Sequence, residues 1–252
     1  MRILVTNDDG IRAPGIYALA RSLSTEHEVI VAAPERERSG VGHSFTYLRP
    51  LFITPYEMDD IAAYAISGTP VDCVKLGIHS IANNQIDMIV SGINCGANLG
   101  SDVLYSGTAS AALEGALQDL PSIAISCNSF NPKDYSPTAD FALKAVAYLQ
   151  AHPLPRHTML NINVPDMEKE QIKGTKITPL GEMNYINRYE ERCNPRGCKY
   201  YWIDDQQRSA SEGDTDVYWQ SQGYITLSPV MADLTNHQWL ATMKSHNFFE
   251  VE

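Results

Sequence analysis

Two adjacent carboxylates, Asp8 and Asp9, follow directly on the apolar run Ile3-Leu4-Val5 and are closed by Gly10. A short continuous apolar run is the pattern of a strand buried on both faces. That places Asn7-Asp8-Asp9-Gly10 at a strand's carboxyl end, the edge where open α/β sheets collect ligands. Two carboxylates held close repel each other unless a cation offsets the charge, and hard divalent ions take oxygen ligands. The same four residues also suit a solvated turn, because Asn, Asp and Gly are ordinary turn formers. Taken alone, the pair does not choose between the two.

Further loops bring complementary groups to the same predicted edge. Pro34-Glu35-Arg36-Glu37-Arg38-Ser39-Gly40 supplies a hydroxyl and guanidinium groups, and Ser91 to Gly100 supplies Asn94 and Asn98. Carboxylate, hydroxyl and amide oxygens make a donor set for Mg²⁺, Mn²⁺ or Ca²⁺ rather than for a thiolate-bound metal. Ser106-Gly107-Thr108 opens an Ala-rich helix, whose N-terminus offers unpaired N–H groups and partial positive charge to an anion such as phosphate. Plain capping by Ser or Thr explains those hydroxyls equally well. A metal and an anion-binding helix end in one cleft would suit hydrolytic phosphoryl transfer, with a metal-bound water attacking in line with the leaving ester oxygen. His43, near Ser39, is a candidate general acid or a histidine bonded within its own loop. Arg36 and Arg38 either neutralise transition-state charge or form surface ion pairs.

The elements that must position these groups alternate from the start. Ile3–Val5, a helix over Pro14–Leu23 and the strand Val29–Ala33 make a βαβ opening. Phe45–Ile53 and Ala63–Ile66 are strand candidates, followed by a helix beginning at Ser67-Gly68-Thr69-Pro70 and running to about Ile81. Met88–Val90 reads as a strand that empties into a glycine-rich loop, Ser91–Gly100. A helix over Thr108–Leu117, strand Ile123–Ile125, helix Asp140–Leu149 and strand Met159–Val164 complete a Rossmann-like, doubly wound and mostly parallel α/β sheet. After Asp166 the pattern changes to short Tyr- and charge-rich segments, including Tyr200–Ile203 and Tyr224–Leu227, with a last helix near His237–Lys244. The expected division is a metal- and phosphate-binding core over 1–167 and a β-rich extension, oligomerisation arm and C-terminal helix over 168–252.

At 252 residues and 44% hydrophobic content the chain can bury a real core. A net charge of -11 and a pI near 5.0 argue against a nucleic-acid polymer or an anionic membrane as partner, without excluding a small phosphorylated substrate held by a metal. The N-terminus enters a strand at once, and no run of about 18 apolar residues occurs, so a cytoplasmic location is expected. Cys73, Cys95, Cys127, Cys193 and Cys198 are an odd, scattered set that fits reduced thiols. The Cys193/Cys198 pair lacks a second Cys/His pair to complete a zinc site.

In order along the chain, Thr6-Asn7-Asp8-Asp9-Gly10-Ile11, Ala33-Pro34 with Arg38-Ser39-Gly40, Gly68-Thr69-Pro70-Val71-Asp72-Cys73-Val74, Ser91-Gly92-Ile93-Asn94, Asn98-Leu99-Gly100 and Tyr105-Ser106-Gly107-Thr108 resemble the motifs of the stationary-phase survival protein family, SurE. Leu160-Asn161-Ile162-Asn163-Val164-Pro165, Asn194-Pro195-Arg196-Gly197, Thr215-Asp216 and Gly223-Tyr224 resemble its later signatures. The resemblance implies a metal-dependent phosphatase of nucleoside 5′- and 3′-monophosphates, with short polyphosphate as a further substrate in some members. It implies one divalent cation, Mg²⁺ or Mn²⁺, on Asp8, Asp9, Ser39 and Asn94. Asn98, Ser106, Gly107 and Thr108 would lie beside the phosphate, with Asp8, Asp9, Asn98 and Ser106 carrying the reaction. It also implies a homodimer or homotetramer built through the C-terminal arm. Gly42, Ala109, Gln118-Asp119 and Cys193 depart from the family pattern, which touches substrate preference and arm packing rather than the metal site.

Two other phosphoryl-transfer classes place acidic residues after a first strand. A receiver domain needs a phosphoaccepting aspartate at the carboxyl end of a later strand, and Asp87 lies at the wrong edge. A covalent haloacid-dehalogenase-type phosphatase needs Asp-x-Asp after the first strand, a spacing that Asn7-Asp8-Asp9-Gly10 lacks. The remaining alternative is a catalytically silent regulator that binds metal and nucleotide without turnover.

Overall fold

The structure is a computed structural model that describes residues 1–184, 188–204, 209–210 and 213–245. Parts of the expected extension, 185–187, 205–208, 211–212 and 246–252, lie outside the described residues. One nine-stranded sheet forms the centre. Across it run Ile53–Tyr56 (β3), Ala62–Ile66 (β4), Glu28–Pro34 (β2), Arg2–Thr6 (β1), Met88–Cys95 (β5), Ser122–Asn128 (β6), Thr158–Pro165 (β7), Ile225–Met231 (β13) and Thr175–Ile177 (β8). From β4 through β7 every neighbouring pair is parallel. β3 is antiparallel to β4, and β13 is antiparallel to β7.

The apolar runs become central strands because both faces are covered. In β1, Ile3 and Val5 belong to a core lying under helices α1 (Pro14–Leu23) and α4 (Ser136–Ala151). Leu4, between them, belongs to a second core on the opposite face, with Cys73 and Val74 of α2 (Pro70–Leu76) and Ala111 of α3 (Gly107–Leu117). Successive strand residues point to opposite faces, so a helix layer on each side requires the unbroken apolar run seen in the sequence. Helix α1 starts with proline at its first position and buries Ile16, Leu19, Ala20 and Leu23 at helical spacing. Burying each such Leu or Ile side chain contributes about 1.5–3 kcal/mol.

Three expectations are corrected. Phe45–Phe52 is irregular and mostly exposed, and only Ile53–Tyr56 pairs as a strand. Its backbone is fastened at Thr46 N by Asp72 of α2 and at Phe52 N by the Ser67 hydroxyl instead of by a ladder. Ser91–Cys95 is not loop but the end of β5, which crosses a register irregularity between Ser91 and Asn94 while still pairing with β6. A bulge of this kind lets a glycine-containing strand continue while re-aiming the residues beyond it. Finally, the sheet does not stop at residue 167, because β13 adds to β7 and β8 adds to β13. The rest of the extension comprises a hairpin of β10 (Arg188–Cys193) with β11 (Lys199–Asp204), a short pairing of β9 (Met183–Asn184) with β12 (Ser209–Ala210), and helices α5 (Asp216–Ser221) and α6 (His237–Ser245). Cys193 and Cys198 sit exposed and unbridged on that hairpin. No helix among the described residues is long and apolar enough to cross a membrane.

Candidate active site

The site forms where β1, β2 and β5 end and α3 begins. Asn7 closes the turn after β1 by trading two hydrogen bonds with Gly10: its amide nitrogen donates to Gly10 O at 3.0 Å, and its Oδ1 accepts from Gly10 N at 3.1 Å. That turn holds Asp8 and Asp9 at the strand end. Asp8 is only 4% exposed. Its Oδ1 accepts from the Thr108 hydroxyl at 2.5 Å, and its backbone oxygen accepts from Arg38 N at 2.7 Å. Burial raises the Asp8 pKa, although hydrogen bonds from Thr108 and Gly107 pull against that rise. Asp9 is pushed up to about 6, first by burial and then by the neighbouring Asp8 charge, while the Cys95 N–H at 3.2 Å opposes the shift. The two carboxylates therefore sit in a partly dry place that disfavours their charges, which a cation would offset.

Asn94 stands one residue before the N–H that binds Asp9. Its amide nitrogen donates to Gly96 O at 2.8 Å, which leaves Oδ1 as its donor atom for a cation. The Ser39 hydroxyl donates to the Glu37 carboxylate at 2.9 Å, leaving its lone pairs for the same purpose. Reading the loop after β2 for its hydroxyl and guanidinium groups missed Glu37; the carboxylate two positions before Ser39 was the available signal. Among the described residues no cluster of three His, Cys, Asp or Glu side chains suited to a metal occurs. A cation here would rely on two carboxylates plus neutral oxygens, a set that fits Mg²⁺ or Mn²⁺ and not a soft metal.

Helix α3 points its N-terminus at this cluster. Ser106 is its N-cap, with Oγ accepting from Ala109 N at 3.0 Å, and the hydroxyl proton remains available to donate. Gly107 lies so close to the β1 turn that a Cβ there would stand 2.7 Å from Asp8 Cβ and 3.1 Å from Pro70 Cγ. Asn98 is 7% exposed, with Nδ2 donating to Ser126 Oγ at 2.9 Å.

Other sequence candidates serve the scaffold. His43 places Nε2 3.0 Å from Glu114 Oε2. Glu114 lies seven residues beyond Gly107 on α3, roughly 10 Å along the axis at 1.5 Å per residue. That engagement fits a ring anchoring its loop. Arg38 uses its guanidinium on the carbonyl oxygens of Gly68 and Ser67 at 3.2 and 3.4 Å. Asp72 closes a capping box with Thr69 and also accepts from Thr46 N at 2.9 Å, so the α2 cap holds down the loop that carries Ser39.

Comparisons with known proteins identify the family of the chain. The family model described as Survival protein SurE matches residues 3–187. The 5′-nucleotidase SurE of Carboxydothermus hydrogenoformans is 44% identical over 252 residues, covering 97% of this chain and 96% of the relative. The protein of the same name from Syntrophomonas wolfei is 47% identical over 240 residues, covering 94% and 91%. The crystal structure of the SurE protein from Aquifex aeolicus superposes with a TM-score of 0.85 at 37% identity, covering 98% of this chain and 99% of that one. A match that runs through both strand-end loops and the α3 turn, with relatives similar from end to end, establishes that the chain belongs to the SurE survival protein family.

Proposed function

We propose that the protein is a divalent-metal-dependent phosphomonoesterase that hydrolyses nucleoside 5′-monophosphates, and 3′-monophosphates as well, to nucleoside and phosphate. The observation that carries the reading is the contact between Asp8 and the first turn of α3, which puts a carboxylate pair and a helix N-terminus in one cleft. Relatives named 5′-nucleotidase SurE, at 44% and 47% identity, support the substrate class. Short polyphosphate, a chain of similar phosphate chemistry, belongs to the same proposal.

Asp8, Asp9, Ser39 and Asn94 would hold one Mg²⁺ or Mn²⁺, which when bound supplies Lewis-acid polarisation of the phosphate and a more acidic water. The chain's own residues do the remaining work. The N–H groups at the start of α3 and the Ser106 hydroxyl bind non-bridging phosphate oxygens and fix phosphorus in place. The Asn98 amide, oriented by Ser126, adds a further donor to the phosphate. Thr108 locks the Asp8 rotamer, and the Cys95 N–H orients Asp9, so both carboxylates are set before substrate arrives. We further place the enzyme in the cytoplasm as a homodimer or homotetramer assembled through its C-terminal arm.

The test is phosphate release from a panel of 5′- and 3′-nucleoside monophosphates and a short polyphosphate, with Mg²⁺, Mn²⁺ or EDTA, beside Asp9→Asn. Metal-dependent release that Asp9→Asn lacks is expected. Nucleotide binding without release by the folded, metal-loaded protein would instead favour the silent regulator.

A further inference from the structure

Asp216 opens helix α5, behind the Thr215 cap, and its side chain is completely buried. It forms no ion pair with any described residue; its carboxylate collects backbone N–H groups from three places. Oδ2 accepts from Gly100 at 2.9 Å, and Oδ1 accepts from Gly181 at 2.7 Å and from Val217 at 2.8 Å. Gly100 belongs to the Asn98-Leu99-Gly100 segment, whereas Gly181 and Asp216 belong to the extension. The two segments also interlock sterically: Gly100 adopts φ +52°, and a Cβ on it would stand 2.4 Å from Gly181 O.

The other end of the same segment is held by side chains of β7. Asn163 engages the Asn98 backbone twice, its Oδ1 accepting from Asn98 N at 2.8 Å and its Nδ2 donating to Asn98 O at 3.0 Å. Asn161, two residues earlier and therefore on the same face of the strand, donates Nδ2 to the same oxygen at 2.9 Å. An irregular segment in the protein interior has thus exchanged ladder hydrogen bonds for an amide clamp at Asn98 and a carboxylate clamp at Gly100. Leaving either set of polar groups unpaired would be costly, so these partners fix the backbone path.

We propose that Asp216 and Asn163 are positioning residues that set Asn98 for phosphate, and that through Asp216 the phosphate subsite depends on the seating of the extension. The proposal rests on the phosphate-binding reading of Asn98. Asp216→Asn preserves size but turns an amide donor toward at least one backbone N–H. It should raise KM for a nucleoside monophosphate and weaken inhibition by inorganic phosphate in parallel, each by about ten- to a hundredfold. Mn²⁺ affinity should stay within about twofold of the parent, because the metal residues are held by separate contacts. Amide exchange at Gly100 and Gly181 should accelerate.

Asn163→Ser, which shortens the amide clamp, should give the same pattern with faster exchange at Asn98, and it takes over the test if Asp216→Asn fails to fold. Val146→Ala, on the buried side of α4 over the opposite face of the sheet, serves as the stability-matched control and should leave KM unchanged. Unchanged KM, phosphate inhibition and exchange in a folded Asp216→Asn protein would overturn the proposal, as would a loss of Mn²⁺ affinity equal to the loss of phosphate affinity. If the parent hydrolyses no nucleotide, the phosphatase reading fails separately, and direct binding of inorganic phosphate by parent and variant decides the clamp.

Discussion

Replacing Gly107 with alanine sets two effects of opposite sign against each other. Gly107 is the first residue of α3, and alanine is the better helix former by at most about 1 kcal/mol. The new Cβ, however, would stand 2.7 Å from Asp8 Cβ and 2.8 Å from Asp8 Oδ2. Carbon atoms pack without repulsion at about 3.5 Å or more, so the helix start and the β1 turn must separate by roughly 0.8 Å. Overpacking of this kind costs about 1–3 kcal/mol. The balance is a loss of about 0–3 kcal/mol, a shift of a few degrees in Tm for a chain of this size. The consequence for the site is larger, because metal–ligand distances tolerate only about 0.2 Å. Moving Asp8 by several times that amount should weaken Mn²⁺ binding at least about tenfold, the scale seen when a ligand's support is removed. Phosphate release should fall with it. Calorimetric Mn²⁺ titration, thermal unfolding and phosphate release on the same preparations make the assay. A Gly107→Ala protein with parental Mn²⁺ affinity and turnover would refute the claim that the first turn of α3 sets Asp8.

Further outcomes follow from the charged groups. Asp9 is pushed up to about 6 by burial and by Asp8, against an ordinary value of 3.8; raising the pH through that window strips a proton from the unfolded chain first and so weakens the metal-free fold. The rise in Tm on adding Mn²⁺ should therefore be smaller at pH 5 than at pH 7.5, and equal shifts would contradict the raised value. Glu114 is pushed up by burial, but hydrogen bonds from His43, Lys75 and Gln118 outweigh that and lower it to about 2, against an ordinary 4.5. Its stabilisation is complete above the ordinary value and is lost as pH falls toward 2. Glu114→Gln should cost about 1–2 kcal/mol at neutral pH, since Lys75 and His43 are partly solvated. In thermal unfolding that gap should close with acidification, and a gap independent of pH would show that the charge is not what matters.

How much was legible in the sequence differs by element. The helix read over Pro14–Leu23 forms over those residues, because proline at its first position and apolar side chains at helical spacing are local signals. Thr69-Pro70 starting α2 and Ser106 capping α3 are equally local. Residue type misleads where partners distant in sequence decide. Phe45–Phe52 has residue types suited to a strand, yet Thr46 N goes to Asp72 instead of to a neighbouring strand. Ser91–Cys95 looks too rich in glycine and polar residues for a strand, yet β6 lies alongside and pairs with it. The extension supplies β13 and β8 to the main sheet because strand pairing is a long-range choice that composition does not encode.

The candidate site divides in the same way. Its residue types, their order and their placement after buried strands were determined by the sequence, and the family resemblance assigned each to metal or phosphate. What only the tertiary structure decided is which side chains hold them there: Thr108 on Asp8, Glu37 on Ser39, Asn163 on Asn98 and Asp216 on Gly100. Buried polar groups must find partners, and inside a folded sheet the available partner is set by which strands and helices lie alongside. A strand's burial and a helix's start are written within a dozen neighbouring residues. The partner of a buried amide or carboxylate is written in the packing.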